Sequence, residues 1–152
     1  MNSKFFLRPA TMSDADCLLE WRNDIVTRQA SLSPERVEVA SHLKWLKSTI
    51  HNEHRKLCIA ELNHRAVGTI RADKDKDKDG WILSWTVAPK SRGKGIAQKM
   101  LNAFIQGFDG VLLAQIKATN IASQKVAERA GFTLIEKSEG DDLYHYHRVC
   151  RA

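Results

Sequence analysis

The sequence predicts a mixed α/β (α+β) domain with a mixed central sheet, in the element order β-α-α-β-β-β-α-β-α-β-β. Three observations predict it. Apolar residues recur at helical spacing in two stretches before residue 51 and in two more after residue 93. Three strand-like runs, 57–62, 66–72 and 81–87, follow one another as an antiparallel meander. Beyond Pro89, helical and strand patterns alternate as in a β-α-β unit. The 152 residues suffice for one hydrophobic core and not for two, and no repeat or linker divides them, so residues 1–152 are expected to form a single domain.

Each element has its own signal. Phe5 to Arg8 reads as the opening strand. Ser13 is expected to cap the first helix, with Asp14 and Asp16 in a first turn whose dipole favours anions. Leu18, Leu19, Trp21 and Ile25 form its apolar face. A second helix is expected from Ser33-Pro34-Glu35, with serine as cap and proline at the first helical position; its apolar positions include Val37, Ala40, Leu43, Leu46 and Ile50. Leu57–Leu62 and Ala66–Ala72 are joined at Asn63-His64 as a tight hairpin, and Trp81–Val87 completes the meander. A helix from Gly93 to Gln106 follows, flanked at its end by Gly107 and Gly110. Val111–Lys117 is a strand, Ile121–Ala130 a helix stopped by Gly131, and Phe132–Ile135 and Leu143–Val149 are the closing strands.

Composition narrows the function classes. With 43% hydrophobic and 28% charged residues, the chain carries too many apolar groups for a disordered segment. Its apolar runs are only a few residues long, and Met1 to Pro9 has no signal-peptide layout, which predicts a cytoplasmic protein without a membrane partner. Cys17, Cys58 and Cys150 are odd in number and far apart, so reduced thiols are expected rather than a disulfide frame or a zinc site. The net charge of +6 and pI near 9.4 suit an anionic partner: a nucleic acid, a phosphorylated cofactor or a nucleotide-linked substrate. The cations are scattered, without the interleaved aromatics of an RNA-stacking sheet, which counts against nucleic acid.

Asp75-x-Asp77-x-Asp79-Gly80 matches the opening of a calcium loop. Its twelfth position, however, is Thr86 where a bidentate glutamate belongs, and interleaved lysines cancel the carboxylate field. The run is expected to be a solvated hairpin tip, and no metal is expected.

The most informative stretch is Val87-Ala88-Pro89-Lys90-Ser91-Arg92-Gly93-Lys94-Gly95-Ile96-Ala97. It leaves a strand, turns on two glycines and enters a helix. Glycines let the backbone approach an anion, and the free N–H groups of a helix start, at the positive end of its dipole, hold phosphate oxygens. A Walker loop lacks its Gly-Lys-Ser/Thr here, and a Rossmann fingerprint lacks its third glycine, since Gln98 stands there.

Lys90-Ser91-Arg92-Gly93-Lys94-Gly95, after a strand ending Val87-Ala88-Pro89, resembles the [Gln/Arg]-x-x-Gly-x-[Gly/Ala] motif of the GNAT N-acetyltransferase superfamily, with Lys90 in the place of Gln or Arg. Asn120-Ile121-Ala122-Ser123, followed by Glu128-Arg129-Ala130-Gly131-Phe132, is similar to that superfamily's second element. The resemblance spans nearly the whole chain. It implies a GNAT fold and acetyl-CoA as co-substrate, lying in a V-shaped opening between the strands 81–87 and 111–117. It further implies that backbone near Trp85 and Val87 pairs with the pantetheine arm, that Arg92, Gly93, Lys94, Gly95, Ile96 and Ala97 hold the pyrophosphate, and that Asn120 and Ser123 meet the arm. Asn120 also fits an ordinary helix cap.

The family's usual catalytic groups are missing from their places. Trp81–Val87 contains no glutamate, and the position seven residues after Asn120, where many members carry tyrosine, is Ala127. Either the acceptor amine loses its proton to water, which a weakly basic amine favours, or other groups serve; Ser123, His42, Tyr144 and His145 are the candidates. Positioning and carbonyl polarisation then carry much of the rate.

Trp21-Arg22-Asn23-Asp24 and His42-x-x-Trp45 resemble segments of the GNAT branch that acetylates the 4-amino group of nucleotide-linked amino sugars in flagellin-sugar (pseudaminic and related nonulosonic acid) synthesis. That resemblance implies an acceptor site of Trp21, Arg22, Asn23, His42, Trp45 and Arg71, with Arg22, Arg28 and Arg71 toward a nucleotide diphosphate. Other amine acceptors stay open: a protein N-terminus, an antibiotic, or none at all in a silent acyl-CoA-binding module. The oligomeric state, homodimer included, is left open by the sequence.

Overall fold

The computed structural model describes residues 4–151. Its elements are β1 (Phe5–Pro9), a 3-10 turn (Met12–Asp14), α1 (Ala15–Asn23), α2 (Ile25–Ala30), α3 (Val39–Ile50), β2 (Arg55–Leu62), β3 (Arg65–Asp75) and β4 (Gly80–Val87). A second 3-10 turn (Pro89–Ser91) leads to α4 (Ile96–Gln106), β5 (Gly110–Lys117), α5 (Ile121–Arg129), β6 (Thr133–Lys137) and β7 (Leu143–Cys150). Seven strands form one sheet in the order β1-β2-β3-β4-β5-β7-β6, antiparallel except between β4 and β5. The mixed α/β class, the meander and the β-α-β unit are as the sequence predicts. Residues 1–3 of the N-terminal stretch, and residue 152, lie outside the described residues.

Side-chain alternation along the strands divides the core into two layers. On β2, Ala60 belongs to the cluster under α4 and α5, whereas its neighbour Ile59 belongs to the cluster under α1 and α3. The first layer holds Ile70, Leu83, Met100, Leu101, Phe104, Leu112 and Tyr146; the second holds Leu18, Trp21 and Leu46. Gly68 sets how closely α4 lies on β3. A Cβ there would meet Met100 Sδ and Thr86 O at 2.9 Å, closer than any real Cβ contact. The hairpin at Asn63-His64 is made as expected, both residues being left-handed at φ 52° and 68°, the geometry that matches strand twist.

Three local expectations are corrected, the first two by local capping bonds and the third by contacts from other elements. The first helix does not start at Ser13: that residue sits within the 3-10 turn, and Asp14, whose carboxylate accepts from Thr11 N at 2.8 Å, is the cap of α1. Nor does the helix run on through Ile25. It breaks at Asp24 (φ −57°, ψ 136°), whose side chain accepts from Thr27 N at 3.1 Å and starts α2 afresh, so there is one helix more than predicted. The second expected helix begins at Val39, not at Ser33. The Ser-Pro-Glu capping signal loses because α1 and α2 hold the preceding segment instead. Arg22 donates to Ser33 O, Arg28 Nε donates to Pro34 O at 3.0 Å, and the Asn23 amide takes both backbone groups of Val37 at 2.7 and 2.8 Å.

Arg8 ties β1 to the first turn and to β2. Arg8 forks onto Asp14 at 2.7 and 2.8 Å and also reaches Glu61 on β2. Paired hydrogen bonds of this kind are stronger than neutral ones. Hydrogen bonding to Arg8 holds the Asp14 carboxyl below the ordinary carboxylate range.

Candidate active site

Two structures meet at the middle of the sheet. The first is an opening between β4 and β5. These strands pair only at Trp81–Leu112 and Ile82–Leu113, after which they part. Along Leu83–Val87, β4 still pairs with β3 on its other side, so its edge toward β5 is left without a strand partner. At the wide end of the opening lies the glycine turn. Gly93 and Gly95 are left-handed at φ 78° and 74°, and an added Cβ at either would meet nothing within 4 Å. Gly95 is the cap of α4, which therefore starts three residues later than Gly93. The N–H groups of residues 94–97 find no acceptor among the described residues, as expected of a helix start that faces a ligand or water.

Arg92 does not point its charge into this turn. Its Nη2 donates to Asp24 Oδ2 at 2.5 Å and to Thr27 Oγ1 at 3.1 Å, which ties the turn to the cap of α2. The hydrogen bond from Arg92 holds the Asp24 carboxyl low. Lys94 stays exposed. Asn120 Oδ1 accepts from Ser123 N at 3.2 Å, so this side chain caps α5 and keeps its Nδ2 for another partner.

The second structure is a pocket of about 340 Å³ between α1, α3 and the face of β2–β4. It brings together Trp21, Arg22, His42, Trp45, Arg71 and Trp85. Within it the rings and guanidinium are layered: His42 stacks on Trp45 at 5.8 Å, and the Arg71 guanidinium lies 5.3 Å from the Trp45 ring. Arg71 Nε also donates to Asp73 Oδ2 at 2.9 Å. Arg22 gives Nη2 to Ser33 O, while its Nη1 is buried without a partner. Burial, and next the charge of Arg71, lower the Arg22 pKa. His42 is only 4% exposed, and its Nε2 donates to Ala15 O at 3.0 Å. Among the described residues no aspartate or glutamate lines the pocket.

The remaining site candidates fall elsewhere. Asn23 and Arg28 spend their side chains on the 33–37 segment and do not line the pocket. Tyr144 packs into the layer under α4 and α5, with Lys137 Nζ 4.8 Å from its ring centre. His145, on the other face of β7, contacts Ser138 Oγ at 2.6 Å through Nε2. Ser123 sits in the first turn of α5. Ala127 is fully buried core. Sequence reasoning missed Val37, Ser41, Thr69, Ser84 and Thr86 as pocket lining. Ser84 and Thr86 had a signal in the period-2 placing of small polar residues on β4, but Val37 did not, since it enters through a segment misread as helix.

Comparison with known proteins fits this geometry. A family model described as an acetyltransferase (GNAT) domain matches residues 4–133. No curated protein sequence matches the chain. Solved structures share the fold at low identity. Spermidine N-acetyltransferase from Vibrio cholerae, in complex with CoA and spermine, has a TM-score of 0.84 at 13% identity, covering 96% of this chain and 95% of that one. RimL, the ribosomal L7/L12 alpha-N-protein acetyltransferase, in complex with coenzyme A, has a TM-score of 0.81 at 18% identity, covering 96% and 94%. The aminoglycoside acetyltransferase AAC(6')-Ib, in complex with coenzyme A and kanamycin, has a TM-score of 0.79 at 18% identity, covering 96% and 95%. With the family model spanning most of its length, and a parted β4–β5 pair ending at a glycine-capped helix, the chain belongs to the GNAT acetyltransferases.

Proposed function

We propose that this protein transfers the acetyl group of acetyl-CoA to the primary amine of an anionic small molecule, the 4-amino group of a nucleotide-linked amino sugar fitting best. The observation that carries it is the charge of the pocket: Arg22, with a buried unpaired Nη1, beside Arg71, which is held by Asp73 outside the lining, and no carboxylate among the lining residues. A buried guanidinium nitrogen without an acceptor costs desolvation free energy that a bound phosphate oxygen would offset. Spermine and kanamycin, bound by two of the structural neighbours, are polycations, and such a pocket opposes them. An amine on an electron-poor sugar carbon is also less basic than lysine, which suits a β4 without a carboxylate.

In this reading acetyl-CoA lies along the β4–β5 opening. The N–H groups of Gly93 to Ala97 would hold its pyrophosphate, the free edge of β4 at Trp85 and Val87 would pair with the pantetheine amides, and Asn120 Nδ2 would meet the arm. Trp21, His42 and Trp45 would form the wall for the sugar, with the nucleotide phosphates toward Arg22 and Arg71. A cytoplasmic location belongs to the same proposal, on the sequence grounds above.

Release of free CoA from acetyl-CoA tests it, with a UDP-linked 4-amino sugar, kanamycin, spermidine and a peptide with a free N-terminus as acceptors. Stimulation by the nucleotide sugar above the others is expected. Preference for kanamycin or spermidine overturns the charge reading; preference for the peptide moves the assignment to an N-terminal acetyltransferase. CoA release with none of them, despite CoA binding, identifies an acyl-CoA-binding module.

A further inference from the structure

Apart from its two arginines, the pocket is lined by one ionisable side chain, His42. Its hydrogen bonding fixes more than its position. A carbonyl oxygen can only accept, so the 3.0 Å contact with Ala15 O puts a proton on Nε2. In a neutral imidazole the lone pair is then on Nδ1, and nothing among the described residues donates to that atom. Moving the proton to Nδ1 would set a lone pair of Nε2 against the Ala15 carbonyl and lose the bond to α1. The charged groups facing it across the pocket are Arg22 of α1 and Arg71 of β3; no carboxylate faces it there among the described residues.

We infer that His42 Nδ1 is the general base of the acetyl transfer and that the Ala15 carbonyl is the group that holds it in the competent tautomer. The inference rests on the pocket being the acceptor site, and it replaces proton loss to water as the route to the free amine. The acceptor ammonium gives one proton to His42 Nδ1, and the nitrogen lone pair so freed forms the N–C bond to the thioester carbonyl carbon. The C–S bond breaks, a second proton from the amine passes to the departing sulfur, and His42 releases its proton to water between turnovers. One proton is thus released per amide formed. Ala15 belongs to the opening turn of α1, so its carbonyl is a fixed acceptor in a buried place.

His42→Gln separates base from scaffold, because its amide N–H reproduces the Nε2 donor to Ala15 O while no basic nitrogen remains. The expected result is a fall in kcat of about 10²–10⁴-fold, the usual worth of a positioned base, with the KM for acetyl-CoA changed by less than about twofold and Tm nearly unchanged. Imidazole added to His42→Ala should restore activity in proportion to its concentration. Normal kcat in a folded His42→Gln variant, with no imidazole rescue of His42→Ala, overturns the assignment. The assay uses whichever of the four amines the wild type acetylates, so failure of the nucleotide-sugar reading leaves the His42 test intact. Nitrogen-15 spectra of the imidazole give an answer even without turnover: the proton is expected on Nε2, and a resonance pattern with the proton on Nδ1 overturns the inference.

Discussion

The glycine turn offers backbone N–H groups from consecutive residues, 94–97, whereas the pocket gathers side chains from five elements and a linker between Leu18 and Thr86. In the turn, the sequence writes the geometry locally. Left-handed φ at Gly93 and Gly95 and a helix beginning at Ile96 are what two closely spaced glycines favour, and Arg92 adds a long-range tie to Asp24. In the pocket, no single residue is informative until β3 and β4 lie under α1 and α3. Arg22 and Arg71 become an anion-attracting pair only because Trp45 and Asp73 fix one of them and burial fixes the other. Backbone-built sites are therefore read from a motif, and side-chain-built sites from the fold.

The comparison breaks most sharply at Gly95. Gly95→Asp adds a negative charge where the turn is open, and Asp is among the residues that tolerate a left-handed φ, so the domain should still fold at a cost of about 1 kcal/mol. CoA should cease to raise Tm, because binding that no longer occurs can add no ligand-linked stability. An undiminished shift in thermal unfolding with CoA would place the pyrophosphate elsewhere.

Arg22→Met is the matching change in the pocket, keeping an unbranched stem and removing the charge. We expect the acceptor KM to rise by roughly 10–100-fold, the worth of a lost charge-assisted hydrogen bond, with the acetyl-CoA KM unaffected. Steady-state kinetics in both substrates reads the split. Equal loss in both would mean that Arg22 serves the fold through Ser33 rather than the acceptor.

The smallest effect belongs to the residue that joins the two regions. Asp24→Asn keeps a good helix cap for α2 and weakens the bond to Arg92. Exposed pairs contribute little, so Tm should fall by only about 1–3 °C at neutral pH. Hydrogen bonding to Arg92 depresses the Asp24 pKa in the folded state. Its contribution is therefore present above the ordinary carboxylate value and lost as pH falls through the depressed one. Thermal melts of wild type and variant should converge on acidification; a constant gap down to the acid limb would remove Asp24 as its source.

How much could be read without coordinates follows the same division. The meander, the hairpin at Asn63-His64, the glycine turn and the Asn120 cap each depend on neighbours within a few residues, and each was legible. The break at Asp24 and the late start of α3 were not. Asp24 is three residues before Thr27, whose N–H it caps, but a lone aspartate inside an apolar-periodic stretch does not announce a break, and Arg92, 68 positions away, adds to it only in the fold. Ser33-Pro34-Glu35 carries a sound capping signal that three side chains of α1 and α2 outcompete. The sequence names His42 as a candidate, but the contact that sets its tautomer comes from Ala15, 27 residues earlier. Arg71 was likewise legible, yet its stack on Trp45 needs β3 folded beneath α3.

Arg92 is already neutralised by Asp24 before any phosphate arrives, and this bears on how the protein behaves in salt. Attraction between exposed full charges is screened by salt, so a site built on free cations loses affinity as ionic strength rises. A turn that holds its ligand through hydrogen bonds from backbone N–H groups, with Lys94 as its one exposed unpaired cation among residues 92–97, has less full charge to screen. Its grip on a pyrophosphate should therefore fall less with added electrolyte than that of a site built on several free lysines and arginines. The +6 net charge of the chain would then speed the approach of the cofactor and contribute little to holding it.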